Sequence, residues 1–219
     1  MTPWRKLFRR GDAHLPFPAD APLEAVRFVV LDTEFTSPDQ RSNRLLSVGA
    51  IAMEGHKIKM GEQFYRVLNP GVEVPAATVV VHKLRPHDVK NGERPEHALQ
   101  DLRNFIAGSV LVGHFARLDL DLLNKELRAS QAEIRNPAVC TARVHRWVLR
   151  KERYSEDLFH RLENVSLAQL ARHYNIEFRE AHHAMEDAFV TARLWQALLR
   201  EVEKHQIRTL RDLLKVGGI

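Results

Sequence analysis

Two carboxylates, Asp32 and Glu34, stand one residue apart in the stretch VRFVVLDTEFTS (26–37), directly after the apolar run Phe28 to Leu31. Side chains at i and i+2 of a strand project to the same face, so these acids point together at the strand's end. Like charges at such range repel and raise each other's pKa unless a cation lies between them. A pair of this kind is also common as a loop cap or a surface pair. Cation binding therefore requires further acids from elsewhere in the chain.

Two other stretches supply them. In LVGHFARLDLDLLNKEL (111–127), helical spacing separates Asp119 from Asp121. Asp119 falls in line with Phe115, Ala116, Leu122, Leu123 and Leu127, along the apolar stripe, where a carboxylate is costly unless paired or metal-bound. Asp121 is assigned to solvent, with Lys125 four residues on as its ion-pair partner. In EAHHAMEDAFVTARLWQALLR (180–200), Asp187, Thr191, Leu194 and Leu198 follow i, i+4, i+7, i+11. That spacing puts Asp187 in the first turns of a helix, on a largely inward stripe. Glu186 falls instead on a mixed face. His182 and His183 precede Asp187 by five and four residues, and His182 lies just before the helix. Most of the 12 histidines must be incidental.

The elements that must position these residues begin with three strands, at 26–33, 45–53 and 56–68. Gly55 turns the last two into a hairpin, and Lys57, Lys59, Glu62 and Arg66 mark the third as an exposed edge. Further strands are expected in SVLVGH (109–114) and PAVCT (137–141). Helices are expected over 96–107, 116–129, 142–150, 166–174, 183–203 and 207–215. Strands first, then helices alternating with strands, indicate an α/β domain with a mixed sheet. Pro16, Pro18 and Pro22 set a basic arm (1–21) apart from a domain over 22–205, with a helical extension at 206–219.

Composition limits the function classes. The 219 residues suit one domain, 44% hydrophobic and 28% charged, with neither a disordered nor a membrane-spanning profile. No apolar segment follows the basic N-terminus, so a signal peptide is not expected. Cys140 is the only cysteine, which excludes an internal disulfide and a cysteine-rich zinc site and predicts a reducing, cytoplasmic setting. A net charge of +5 and a pI of about 9.5 are compatible with a polyanionic partner. Arg5, Lys6, Arg9 and Arg10 form a candidate electrostatic tether.

Taken in order, LDTEFTS, VGHFARLDLDLL and HHAMEDA resemble the three motifs of the DEDDh (DnaQ-like) 3′–5′ exonucleases, a branch of the RNase H-like superfamily. The bacterial proofreading exonuclease epsilon subunits are similar in this way, and the resemblance covers roughly 26–203. It implies an RNase H-like α/β fold with a mixed sheet of about five strands, one antiparallel, flanked by helices. It further implies that Asp32, Glu34, Asp119 and Asp187 hold two divalent cations, Mg²⁺ or Mn²⁺, with Asp32 bridging them and Asp119 serving the second. His182 matches the general base. A related branch carries tyrosine at the position of His183, so the third motif favours the histidine type. Phe115 stands where the family usually has asparagine, and Ser37 where glycine is common.

Two dications about 3.5–4 Å apart would serve both ends of an in-line phosphodiester displacement. An imidazole titrating near ~6.5 is suited to take the water's proton. The implied reaction releases 5′-mononucleotides from single-stranded DNA or RNA 3′ ends, DNA favoured, with no membrane partner. Thr33, Phe35, Thr36, His82, Leu84 and Phe115 are candidate substrate contacts, the rings and Leu84 by stacking or wedging on terminal bases. Lys83, Arg85, Arg117 and Lys151 are candidate phosphate contacts. Only HQIRTLRDLLKVGGI follows the last motif helix, whereas the epsilon subunit has a longer polymerase-binding tail. A stand-alone repair or turnover enzyme is therefore expected over the replicative subunit, with a polymerase partner held open. The alternatives are a non-catalytic nucleic-acid- or polymerase-binding module and an RNA-directed exoribonuclease.

Overall fold

The computed structural model of the protein describes residues 16–37, 39, 41–74, 82–152, 166–178 and 182–219. The basic residues of the N-terminal arm, Arg5 to Arg10, lie outside the described residues.

The apolar runs become a five-stranded sheet in the order β3-β2-β1-β4-β5. Its strands are β1 (Arg27–Phe35), β2 (Leu45–Glu54), β3 (Lys57–Val67), β4 (Val110–Gly113) and β5 (Ala138–Cys140). β2 is antiparallel to β1 and β3, while β4 and β5 run parallel to β1. The mixed sheet with one antiparallel strand, implied by the motifs, is the one that forms. β2 is buried along nearly its whole length, which is why it reads as an unbroken apolar run rather than as an alternation. β3 is the edge and is largely uncovered, with its charges outward.

Seven helices accompany the sheet among the described residues: α1 (Pro86–Lys90), α2 (Pro95–Ile106), α3 (Arg117–Leu127), α4 (Thr141–Lys151), α5 (Leu167–His173), α6 (Ala184–Lys204) and α7 (Leu210–Gly217). Phe28 and Val30 of β1 point to one side and pack with α4, α5, α6 and α7 through Val144, Leu170, Leu194 and Leu213. Val29 and Leu31 point to the other side and meet α2 and α3 through Leu99, Leu102 and Leu123. Trp195, expected in the core, is fully buried with its ring edge-on to Phe28 at 5.5 Å. Such an aromatic pair adds about 0.5–1.5 kcal/mol beyond the area it buries.

Three departures from expectation have local causes. β1 runs to Phe35 rather than stopping at Thr33, because Thr33 and Glu34 pair with Val48 and Ser47 of β2; both acids therefore lie inside the strand. α1 was not expected; Pro86 at its first position fixes a helical φ. Residues 206–219, set apart in the sequence reading, seat Leu210 and Leu213 in the core. Ile219 N also donates to Ala138 O of β5.

Candidate active site: an acid cluster at the carboxyl end of β1

Alternation along β1 decides where its acids point. Phe28 and Val30 face the α6 layer, so Asp32 and Glu34 face it too. Across the ladder from Asp32 is Gly49 of β2. A Cβ on Gly49 would lie 2.4 Å from the Ala184 carbonyl and from Met185 N. Only a residue without a side chain lets the first turn of α6 rest on the sheet, and that turn carries Asp187. As a result, carboxylate oxygens of Asp32, Glu34 and Asp187 all lie within 4.8 Å of one another.

Asp119 arrives from the opposite layer. β4 ends beside β1 at Gly113 and the chain turns into α3, placing Asp119 in that helix's first turn. Its Oδ1 accepts hydrogen bonds from Thr33 N at 3.0 Å and Thr33 Oγ1 at 2.6 Å. Thr33 was expected to contact substrate. It is 5% exposed and turned to the α3 side, so it orients Asp119 instead. Asp119 stands outside the 4.8 Å group yet close enough to act on it electrostatically.

The electrostatics show what this arrangement costs. Burial, and then the charges of Asp119, Glu34 and Asp187, hold the Asp32 carboxyl well above the usual carboxylate range. Burial pushes Asp119 up to about 7 against the two Thr33 hydrogen bonds. Burial and Glu34 push Asp187 up to about 6, partly offset by the nearby His182. Asp187 Oδ1 is buried without a hydrogen-bond partner among the described residues. Crowded hard oxygens, mutual repulsion and an orphaned carboxylate oxygen together fit a divalent cation.

The rim carries strained backbone. His182 is exposed just before α6 with φ +41°, and Phe115 is 39% exposed just before α3 with φ +55°. Both occupy the left-handed region that asparagine and glycine tolerate better. The asparagine usual at the Phe115 position thus has a backbone reason. His183 caps α6 and stacks on Tyr65 of β3 at 4.8 Å.

The other candidates divide between the cluster's edge and the interior. His82 Nδ1 lies against Glu34 Oε2, an ion-pair contact without hydrogen-bond geometry. Phe35 is half-buried beside His82. Leu84 is 6% exposed and packs with Leu46 and Val89, so it presents no surface for a base. The Thr36 backbone N–H donates to Arg44 O, and its Oγ1 accepts from Arg44 N, closing the β1–β2 loop. Asp121 is exposed as expected, and its ion pair is with Arg117; Lys125 Nζ reaches Asn43. Sequence reasoning passed over Gly49 and Tyr65. A glycine inside an apolar strand run was the available signal for the first; for Tyr65 there was none.

The family model described as Exonuclease matches residues 29–195. The DNA polymerase III subunit epsilon of Aquifex aeolicus is 27% identical over 176 residues, spanning 80% of this chain and 81% of that protein. A PolC-type DNA polymerase III of Clostridium perfringens is 24% identical over 189 residues, 84% of this chain but only 12% of that protein. Among solved structures, cell-death related nuclease 4 superimposes with a TM-score of 0.69 at 12% identity, covering 81% of this chain and 64% of that one. Escherichia coli exonuclease I in complex with a dT13 oligonucleotide gives 0.68 at 16% identity, covering 83% and 42%. These structures share the RNase H-like fold.

Proposed function

The chain belongs to the exonuclease family and is a 3′–5′ exonuclease, and from that premise we propose that it trims single-stranded ends, DNA foremost, releasing 5′-mononucleotides. The observation that carries the proposal is the convergence of Asp32, Glu34 and Asp187 within 4.8 Å, with an orphaned Asp187 oxygen. A cluster that repels itself this strongly is costly to fold unless it serves to hold positive charge.

In this reading Asp32, Glu34 and Asp187 would hold one divalent cation, and Asp119 would serve a second. Such ions supply an activated water and neutralise charge on the departing alkoxide. The chain's own residues do the rest. Thr33 fixes the Asp119 carboxylate through Oδ1. His182, exposed at the rim, takes the water's proton on its imidazole and returns it to solvent. Phe115 and Phe35 flank the cluster where a terminal base would stack. Buried Cys140 suits a reducing, cytoplasmic setting, which belongs to the same proposal. Association with a polymerase is suggested by the names of the sequence relatives.

The test is digestion of 5′-labelled single-stranded DNA, duplex DNA and RNA with Mg²⁺ or Mn²⁺, with Asp32→Ala as control. Stepwise shortening from the 3′ end that needs both the metal and Asp32 is expected, fastest on single-stranded DNA. A folded wild-type protein giving no metal-dependent product would instead make the chain a nucleic-acid- or polymerase-binding module. Faster cleavage of RNA would reassign the substrate.

A further inference from the structure

The outer side of α3 forms the floor of a groove of about 1250 Å³. It starts at Phe35, the residue after Glu34, and Arg117, two before Asp119, and runs away from the acids to Arg128 and Arg135. Both walls are fastened to α3. Lys125 Nζ donates to Asn43 O and Oδ1 at 2.6 and 2.9 Å, holding the 41–43 loop. Ile134 N donates to Asn124 Oδ1 at 2.7 Å, and Asn124 Nδ2 returns a bond to Ile134 O, holding the 131–135 loop. The groove is thus built before any ligand arrives, so little ordering cost falls on binding.

Its charge is of one predominant sign. Arg41, Arg117, Arg128 and Arg135 line it, and an adjoining hollow of about 540 Å³ shares Arg128 and Arg135 and adds Arg103. The acids present, Asp121 and Glu133, pair with Arg117 and Arg135, and all four side chains are more than half exposed. Exposed pairs of this kind contribute little, so breaking them costs a bound phosphate little. From Arg117 to Arg128 the helical floor spans roughly 16 Å. At the end nearest the acids, Leu118 is 49% exposed, an apolar step beside the charged floor.

We infer that this groove carries the backbone of a single strand upstream of the 3′ end, so that the arginines hold the strand while the acids work on its terminus. The inference rests on the acid cluster being the nuclease centre. It adds that long single strands bind better than short ones, through Arg128, Arg135 and Arg103.

The test uses the full chain and separates binding from chemistry. Hydrolysis of the p-nitrophenyl ester of thymidine 5′-monophosphate with Mn²⁺ reports on the terminal-nucleotide site without the groove. Fluorescence anisotropy in EDTA compares a labelled oligothymidylate of about 20 nucleotides with one of about four. In Arg128→Glu/Arg135→Glu, affinity for the long strand is expected to drop about tenfold or more, and its salt slope to flatten by about 1.4, the loss of two phosphate contacts on a single strand. Short-strand binding and ester hydrolysis stay at the wild-type level. Arg128→Gln/Arg135→Gln, which removes charge without reversing it, gives the same ordering with smaller amplitude. Unchanged long-strand affinity in both variants, or equal wild-type affinity for the two lengths, overturns the inference. So does loss of binding to a polyglutamate peptide with long-strand binding intact, which would assign the groove to an acidic protein segment. Absence of ester hydrolysis by the wild-type protein overturns the nuclease reading; the anisotropy comparison decides the groove independently.

Discussion

Asp119 and Asp187 occupy matching places in two helices on opposite faces of one sheet. Each lies in a first turn, each is almost fully buried, and each helix is entered through a left-handed residue, Phe115 for α3 and His182 for α6. Their surroundings differ. Asp119 Oδ1 takes two hydrogen bonds from Thr33, whereas Asp187 Oδ1 takes none. Asp119 is oriented by two short hydrogen bonds on one oxygen; Asp187 draws a backbone hydrogen bond from His183, while its Oδ1 is left open to something the site binds. The difference teaches that two buried acids of one site can be oriented to different degrees by the protein before an ion arrives.

The largest effect should follow from removing the unsatisfied acid. Asp187→Asn is expected to lower kcat by about 10³-fold, the scale seen when one charge-stabilising group is lost. It should also raise the melting temperature of the metal-free protein, because a repelling charge leaves the cluster. A variant that loses activity and melts lower would break the comparison.

Gly49→Ala should come next. The new methyl would drive the first turn of α6 off β2, costing about 1–3 kcal/mol of stability as overpacking does. Activity should fall more than that loss explains, since Asp187 moves with the turn. Denaturant melts beside kcat measurements separate the two effects. Thr33→Val sharpens the contrast from the other side. It removes one of the two Asp119 donors and keeps the backbone one, so a stability loss of about 1–3 kcal/mol is expected. The activity loss should be smaller than for Asp187→Asn; an equal loss would mean that Asp119 is no better held than Asp187.

The pH dependence of the metal-free protein tests both acids together. Each has a folded pKa above its unfolded value, so the folded state binds the proton more tightly between the two values. Stability must then fall as pH rises through that window. For Asp119 it runs from 3.8 to about 7, and for Asp187 from 3.8 to about 6. Thermal melts in EDTA should drop across this range, and Mg²⁺ should restore the loss near neutrality. Melts that stay flat with pH would show that the acids are not strained as anions. The smallest effect on stability is expected at the α3 entry: Phe115→Gly should relieve the left-handed backbone by about 1–2 kcal/mol, while the lost stacking surface raises KM for the thymidine ester more than it lowers kcat.

Much of this was legible in advance because burial leaves periodic marks. β1, β2 and β4, covered on both faces, appear as apolar runs, and the Asp187–Thr191–Leu194–Leu198 spacing marks the inward stripe of α6. Thr33 and Leu84, expected to face substrate, are buried for a shared reason. A residue beside a motif has no periodicity of its own, so its direction depends on which layer the strand or loop meets. Leu84 is buried by Leu46 and Val89, and Thr33 is turned away by the pleat.

Residue types and their spacing determined the sheet's apolar strands, the helix faces and the identity of four inward acids, because local periodicity records which side of an element avoids water. Tertiary packing decided that three of those acids would crowd together while the fourth is satisfied by Thr33. It did so because the approach of α6 to β2 depends on the missing side chain of Gly49, a steric condition between segments far apart in the chain.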